Sequence, residues 1–341
     1  MTQIVKHIMK PIKTPANDPD TNSGEFMYGL RSIIAGMIFI FQGMTHADTI
    51  SSLQRVQAVK GTAVTAKECR DLGDFYWEIG DRSHVVGQGA VGTRYSSNKT
   101  IHIASASKWV FGSYVLEKIG KNAEPNHDQL RALEMQSGYT SLKYISCAFS
   151  DTVEACFNHR GNSHFTKENV DYFFYNGGHD QKLAIDFGLG KLTSAEFANE
   201  IRTYLGTDLS IEFSSPQPAG GMKTSPSDYG KLLRKILSGQ LRMKNYLGKY
   251  PVCTLPSVCN QSLESPVPLA WHYSLNHWVE DDPSGDGAFS SPGAFGFYPW
   301  ISADMQWYGV LARESYFPTA YKESVYCGQK LRKAWTSGQS Q

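Results

Sequence analysis

The sequence has no excess of either charge. Lysine and arginine number 33 against 32 aspartate and glutamate, a formal net charge of +1, and no long run of one sign occurs. A nucleic-acid footprint and an electrostatic membrane patch are therefore not indicated. The six cysteines contain no CxxC pair, which argues against a zinc site. Internal repeats and low-complexity linkers are also missing. Hydrophobic residues at 41% and charged residues at 19% describe a globular chain rather than a disordered one. Its 341 residues suffice for one large catalytic domain or two modest ones.

Long apolar runs are scarce too. From Met27 the chain reads MYGLRSIIAGMIFIFQGMTHA. Arg31 supplies a positive flank, residues 33–41 form a short apolar core, and Ala47 suits a signal peptidase. The core is shorter than the about 20 apolar residues of a membrane span. It reads as a secretory signal peptide cut after Ala47, with an uncleaved anchor as the alternative. Residues 1–47 are thus expected to be a polar extension plus signal peptide. Residues 48–341 are expected to be a single catalytic domain, in the periplasm or secreted.

All six cysteines lie beyond Ala47, and an even count in an exported chain suggests disulfides. Loop closure favours near neighbours, Cys147 with Cys156 and Cys253 with Cys259. That leaves Cys69 with Cys327, tying the two ends of the domain together. Six buried thiols are the bland alternative.

Residues 75–79 and 85–89 are strand-like around Gly80-Asp81, a hairpin signal. Residues 105–119 read as a helix closed by Gly120. Thr193-Ser194 caps a helix to Leu205, and Ser225 or Ser227 caps another to Leu237. Residues 294–301 and 305–312 form a second two-strand pattern, and residues 322–335 a terminal helix. Strands at both ends with helices between them imply an α/β (α+β) fold. A single sheet is built from both termini, with a helical lobe inserted at roughly residues 105–240.

The segment IHIASASKWVFGSYVLEKIG contains Ser105-Ala106-Ser107-Lys108. Residues three apart share a helix face, so the Ser105 hydroxyl and the Lys108 amine are expected to be neighbours. A serine hydroxyl needs a nearby base to attack at neutral pH, and a desolvated lysine can serve. Ser105 at a helix start also gains from the free backbone N–H groups there. Taken alone, Ser105 also fits an ordinary cap and Lys108 an ordinary solvated side chain.

The run IASASKWV resembles the nucleophile motif of class C β-lactamases, low-molecular-weight DD-peptidases and related esterases. LEMQSGYTSL, FFYNGGHDQKLA, PAGGMKTSPSDYGKLL and SSPGAFGFYPWI resemble later landmarks of that family, in the family's order. The resemblance covers residues 75 to about 315 and implies a β-lactamase/transpeptidase-like fold with an antiparallel sheet and terminal helices. It makes Ser105 the acylated nucleophile, Lys108 its partner and Tyr175 a proton relay to the leaving group. It places an oxyanion hole at the backbones of Ser105 and Ala294, with Gly293 letting the strand approach the substrate. Neither metal nor cofactor is implied. The substrate is a small ester, an amide or a cell-wall-derived molecule.

Two departures stand out. The family's Tyr-x-Asn is here Tyr175-Asn176-Gly177, so Gly177 holds the Asn position. Its Lys-Thr-Gly is here Ser291-Pro292-Gly293. Without that lysine a substrate carboxylate meets only the neutral hydroxyl of Ser291. Neutral esters or amides are therefore expected to outrun penicillins and D-Ala-terminal peptides, and Ser291→Lys is expected to favour carboxylate substrates. His272 lies before this motif and is a candidate for lending polarity to the pocket; a histidine merely packed beside aromatics is the bland reading. The leading function is an exported serine hydrolase forming an acyl-enzyme. A β-lactamase or DD-peptidase is the second reading, and a non-catalytic penicillin-binding-like protein the third.

Overall fold

The structure, a computed structural model, describes residues 50–341. The extension and signal peptide expected in residues 1–47 lie outside the described residues. Ser51 caps helix α1 (Ser52–Thr65) by accepting from the Gln54 N–H, and a single turn α2 (Lys67–Arg70) follows. Strands β1 (Phe75–Asp81) and β2 (Val85–Val91) form the expected hairpin. After β3 (Ile101–His102) comes α3 (Ser107–Ile119), stopped by Gly120 at φ 95°. The lobe continues with α4 (His127–Leu133), α5 (Val153–Asn158), β4 (Phe173–Phe174), α6 (Gly178–Asp186) and α7 (Ser194–Leu205). Capping boxes Asn126/Gln129 and Thr193/Glu196 start α4 and α7 by satisfying their first free N–H groups. Strands β5 (Ile211–Phe213) and β6 (Met222–Thr224) precede α8 (Pro226–Leu237). Ser225 rather than Ser227 is the α8 cap, with Pro226 at the first helical position, where its missing N–H costs nothing. The rest comprises β7 (Val252–Cys253), β8 (Ser262–Glu264), β9 (His272–Ser274), β10 (His277–Val279), β11 (Phe289–Ser290), β12 (Tyr298–Ile301), β13 (Trp307–Ala312) and α9 (Ala320–Ser337).

The main sheet is antiparallel, in the order β2-β1-β13-β12-β11-β10-β9-β7. The two ends of the domain meet inside it, Tyr76 opposite Ala312 and Asp81 opposite Trp307. Strand side chains alternate between faces, and both faces are covered. Tyr76, Tyr308 and Val310 join Trp109, Leu232 and Leu233 in a core under the helical lobe. Trp77, Ile79 and Leu311 join Leu331 and Trp335 in a second core under α1 and α9. This two-sided burial explains why β1 is buried at every position but its last.

Disulfides join Cys69 to Cys327, Cys147 to Cys156 and Cys253 to Cys259. The first links α2 to α9 on the outer face of the sheet. Three expected elements begin later than read, among them the strand expected from residue 305, which starts at Trp307. The strand expected from residue 294 starts at Tyr298, because a turn with a Gly296 N–H to Gly293 carbonyl bond of 2.8 Å occupies the residues before it. The helix expected from residue 105 is α-helical only from Ser107.

Candidate active site

Short strands and one strained residue present Ser105. Strand β3 pairs with β6, Ile101 opposite Thr224, and the Ile103 N–H donates to the Met222 carbonyl at 3.1 Å. Ala104 then takes φ 45°, a left-handed conformation rare for a residue with a Cβ. That reversal puts Ser105 in a 3₁₀ turn (Ala104–Ala106) ahead of α3. Ser107 is turned inward: its Oγ donates to the Ala104 carbonyl at 2.5 Å and accepts from the Met222 N–H at 3.4 Å. Lys108 lies on the Ser105 side. Its Nζ is 3.2 Å from Ser105 Oγ and donates to the Ala219 carbonyl at 2.9 Å. The lysine is only 4% exposed.

Tyr175 walls the same space, with its ring centroid 4.7 Å from Lys108 Nζ. The ring stacks on Trp278 at 5.4 Å and meets the edge of Tyr273 at 5.9 Å. Among the described residues the Tyr175 hydroxyl makes no hydrogen bond to Ser105 or Lys108; the lysine contacts the ring face. Asn176 is committed elsewhere. Its Oδ1 accepts from the N–H groups of Leu142 at 3.1 Å and Gly178 at 2.8 Å, bracing the cleft wall. Gly177 faces the cleft.

Ser105 and Ala294 both line the cleft, and neither backbone N–H has a partner among the described residues. Two free N–H groups beside a serine hydroxyl are an arrangement able to hold an oxyanion.

Three of the expected substrate contacts are not among the residues that line the cleft. A Cβ on Gly293 would lie 2.0 Å from the Ile103 carbonyl oxygen, so this glycine lets its own turn pack against the turn that carries Ser105. Ser291 is buried, with Oγ 3.3 Å from the Ser105 carbonyl, and is not among the residues that line the cleft. His272 does not line it either. It sits at the surface with Nδ1 2.9 Å from Asp281, on a strand far across the sheet from β12.

The cleft holds about 280 Å³. Leu142, Tyr144, Gln217 and Phe295 complete its walls; Leu142 and Phe295 lie in two of the family-like segments, whereas Tyr144 and Gln217 carried no signal in the sequence. Tyr144 rides on a 3₁₀ turn (Tyr144–Cys147) that ends at the Cys147–Cys156 disulfide. Its carbonyl accepts from Gln217 Nε2 at 2.9 Å. Lys108 is the only charged side chain among the lining residues. No group of three or more metal-ligating side chains stands together among the described residues.

Below the cleft floor, α6 carries two buried titratable groups. His179 Nδ1 is 2.7 Å from Ser137 Oγ and Nε2 is 2.9 Å from the Phe174 carbonyl, so Nε2 donates and Nδ1 accepts. Burial holds the imidazole neutral, down to a pKa of about 4. Asp180 is pushed up to about 7 by burial, against the opposing pull of Lys108 and an Asn276 hydrogen bond.

No family model matches the sequence, and no curated protein does. Solved structures match it. The D-amino acid amidase of Ochrobactrum anthropi SV3 superposes with a TM-score of 0.58 at 11% identity, over 84% of this chain and 98% of that one. The penicillin-binding protein homologue of Pyrococcus abyssi gives 0.57 at 14% identity, over 82% and 77%. EstCE1, a hydrolase with promiscuous acyltransferase activity, gives 0.59 at 12% identity, over 84% and 100%. At these identities the likeness is one of fold: the chain has the mixed α+β architecture of the β-lactamase and penicillin-binding-protein-like hydrolases.

Proposed function

We propose that this protein is an exported serine hydrolase that acts on neutral esters or amides through an acyl-enzyme at Ser105. The observation carrying the reading is the Lys108 amine 3.2 Å from Ser105 Oγ at the floor of a cleft. The free N–H groups of Ser105 and Ala294 beside it add to the case.

In the proposed reaction Lys108, as the free amine, takes the Ser105 proton while Oγ bonds to the substrate carbonyl carbon. The carbonyl oxygen becomes an oxyanion between the two N–H groups. Collapse expels the alcohol or amine, which receives the proton, and water hydrolyses the acyl-serine by the same steps. The Ala219 carbonyl fixes one Lys108 N–H and so aims the amine at Ser105. Tyr175 serves as wall and, through its ring, as a partner for the ammonium formed. A relay through its hydroxyl requires that oxygen to reach the leaving group when substrate is bound.

Walls of Leu142, Tyr144 and Phe295 suit an apolar acyl or leaving group, and among the described residues no second cation lines the cleft to hold a carboxylate. This favours neutral substrates over β-lactams and D-Ala-terminal peptides. Export is supported by the signal-like segment ending at Ala47 and by the three disulfides, which persist in oxidising compartments.

The test is labelling with a fluorescent phosphonate followed by mass analysis of the modified peptide. The label is expected on Ser105 alone, and Ser105→Ala is expected to abolish both labelling and p-nitrophenyl ester turnover. Wild-type turnover in that variant would refute the mechanism. A folded wild-type protein that neither labels nor turns over any ester or amide would favour the non-catalytic reading.

A further inference from the structure

Among the described residues two side-chain amides line the cleft, Asn176 and Gln217, and they differ in what they have left to offer. Asn176 is committed at both ends: Oδ1 accepts from the N–H groups of Leu142 and Gly178, and Nδ2 donates to the Leu142 carbonyl at 3.3 Å. Gln217 is committed at one. Its Nε2 donates to the Tyr144 carbonyl at 2.9 Å and to Ser215 Oγ at 3.3 Å. A carbonyl oxygen can pair only with the N–H end of an amide, so these contacts fix which way the group points. Oε1 is then the free end. It makes no hydrogen bond among the described residues, and unlike the unpartnered side-chain atoms of the interior it is not closed off from solvent. The residue is 1% exposed and stands on the cleft wall, so that oxygen opens on the cleft.

The segment around Gln217 is built to hold it there. Pro216 and Pro218 flank it, and their rings restrict the backbone on both sides. Gln181 Nε2 donates to the Pro216 carbonyl at 2.9 Å, and the Gly221 N–H closes a turn onto the Gln217 carbonyl at 2.9 Å. Only glycine suits that position, since a Cβ on Gly221 would lie 2.2 Å from the Ser215 carbonyl oxygen. The same turn carries Ala219, whose carbonyl holds Lys108. The Tyr144 hydroxyl donates to the Gly220 carbonyl at 3.4 Å rather than to Gln217. A nearly buried acceptor of fixed direction, in the same cleft as Ser105 and without a partner, is costly to keep unless a ligand pairs with it.

We propose that Gln217 is a specificity-determining residue: its Oε1 accepts an N–H from the substrate, so the preferred substrates carry an amide N–H next to the scissile carbonyl. That N–H comes from the acyl part, as in an N-acylated amino acid ester, or from the leaving group, as in a secondary amide. A simple ester such as p-nitrophenyl butyrate binds with Oε1 left unpaired, and a site that offers a hydrogen bond discriminates against the analogue that cannot make it.

The inference rests on the Ser105–Lys108 reading and fails separately from it. Turnover surviving in Ser105→Ala is the failure of that reading; an enzyme that needs Ser105 but ignores the N–H is the failure of this one. The experiment compares kcat/KM of wild type, Gln217→Met and Gln217→Glu on three substrates. They are p-nitrophenyl butyrate, with no N–H, p-nitrophenyl N-acetylglycinate, with one in the acyl part, and p-nitrobutyranilide, with one in the leaving group. The quantity read is variant over wild type for each substrate, which cancels their different intrinsic reactivities. Gln217→Met has nearly the same length but no acceptor. It is expected to lower kcat/KM about tenfold more for one of the N–H substrates than for the butyrate ester, and which one responds tells on which side of the scissile bond the N–H sits. Gln217→Glu keeps the acceptor and is expected to retain the wild-type pattern, whereas a residue that only braces the Tyr144 wall would lower all three substrates together in both variants. If Gln217→Met does not fold, wild type alone carries the test, through competition against p-nitrophenyl butyrate. N-methylbutyramide is matched with N,N-dimethylbutyramide, and methyl N-acetylglycinate with methyl levulinate; in one pair the N–H member is expected to compete about tenfold more strongly. Parallel losses on all three substrates in Gln217→Met, a pattern lost equally in Gln217→Glu, or equal competition within both pairs overturns the proposal.

Discussion

Glu134 offers a measurement of burial that is independent of catalysis. It follows α4, its backbone N–H bonds to the Leu130 carbonyl at 2.9 Å, and the residue is 7% exposed. One carboxyl oxygen has no partner, and burial alone pushes the group from an ordinary 4.5 up to about 8. The folded protein therefore keeps a proton that the unfolded chain gives up between these two values. Where the folded state binds more protons, stability falls as pH rises. The Glu134 contribution is thus intact below about pH 4.5 and lost progressively up to about pH 8. At about 1.4 kcal/mol per pH unit, wild type loses roughly 3 kcal/mol through this group between pH 5 and pH 8. Glu134→Gln has the same shape and does not titrate. Any fixed cost of placing its amide cancels when one variant is compared at two pH values. Urea unfolding of both proteins at pH 5 and pH 8 is expected to show the variant gaining about 3 kcal/mol relative to wild type at the higher pH. The same stability difference at both pH values would refute the assignment of a buried, protonated carboxyl.

The remaining predictions concern substrate and covalent links. A missing charge-assisted hydrogen bond is worth about 1.5–3 kcal/mol, so kcat/KM for p-nitrophenyl butyrate is expected to exceed that for nitrocefin by about 10-fold or more; efficient nitrocefin turnover with negligible esterase activity would contradict this. Because Ser291 is buried against the turn that carries Ser105, Ser291→Lys is expected to lower Tm by burying an ammonium rather than to create a carboxylate site, and a folded variant with raised nitrocefin turnover would show otherwise. The Cys69–Cys327 link spans 258 residues and Cys147–Cys156 spans 9. In the loop-entropy model, Cys69→Ala/Cys327→Ala is expected to lose about 5 kcal/mol and Cys147→Ala/Cys156→Ala about 3 kcal/mol. Denaturant titration of both pairs checks this, and equal or inverted losses would speak against it.

Features with a local physical cause were legible in the sequence. Ser105 and Lys108 are neighbours because three residues is nearly one helical turn. Glycine and hydroxyl caps mark α7 and α8 because helix ends leave backbone groups to satisfy. The disulfide pairs follow from loop closure, and strands at both chain ends led to one sheet because an unpaired strand edge leaves its backbone N–H and C=O groups without partners. The short strands β7 to β11 were not legible, since two or three residues show no periodicity. Neither was the start of α3, which depends on the strained turn at Ala104. The site beyond the serine and lysine was decided by tertiary structure. Whether Tyr175 shows Lys108 its ring or its oxygen depends on Trp278 and Tyr273, about a hundred residues away. Gly293 and Ser291 pack against the turn that carries Ser105, and His272 pairs with Asp281 at the surface, contacts that no local pattern announces. The burial of Asp180 was decided the same way: the hydrogen bond it accepts from Asn276 in the β9–β10 turn crosses 96 residues.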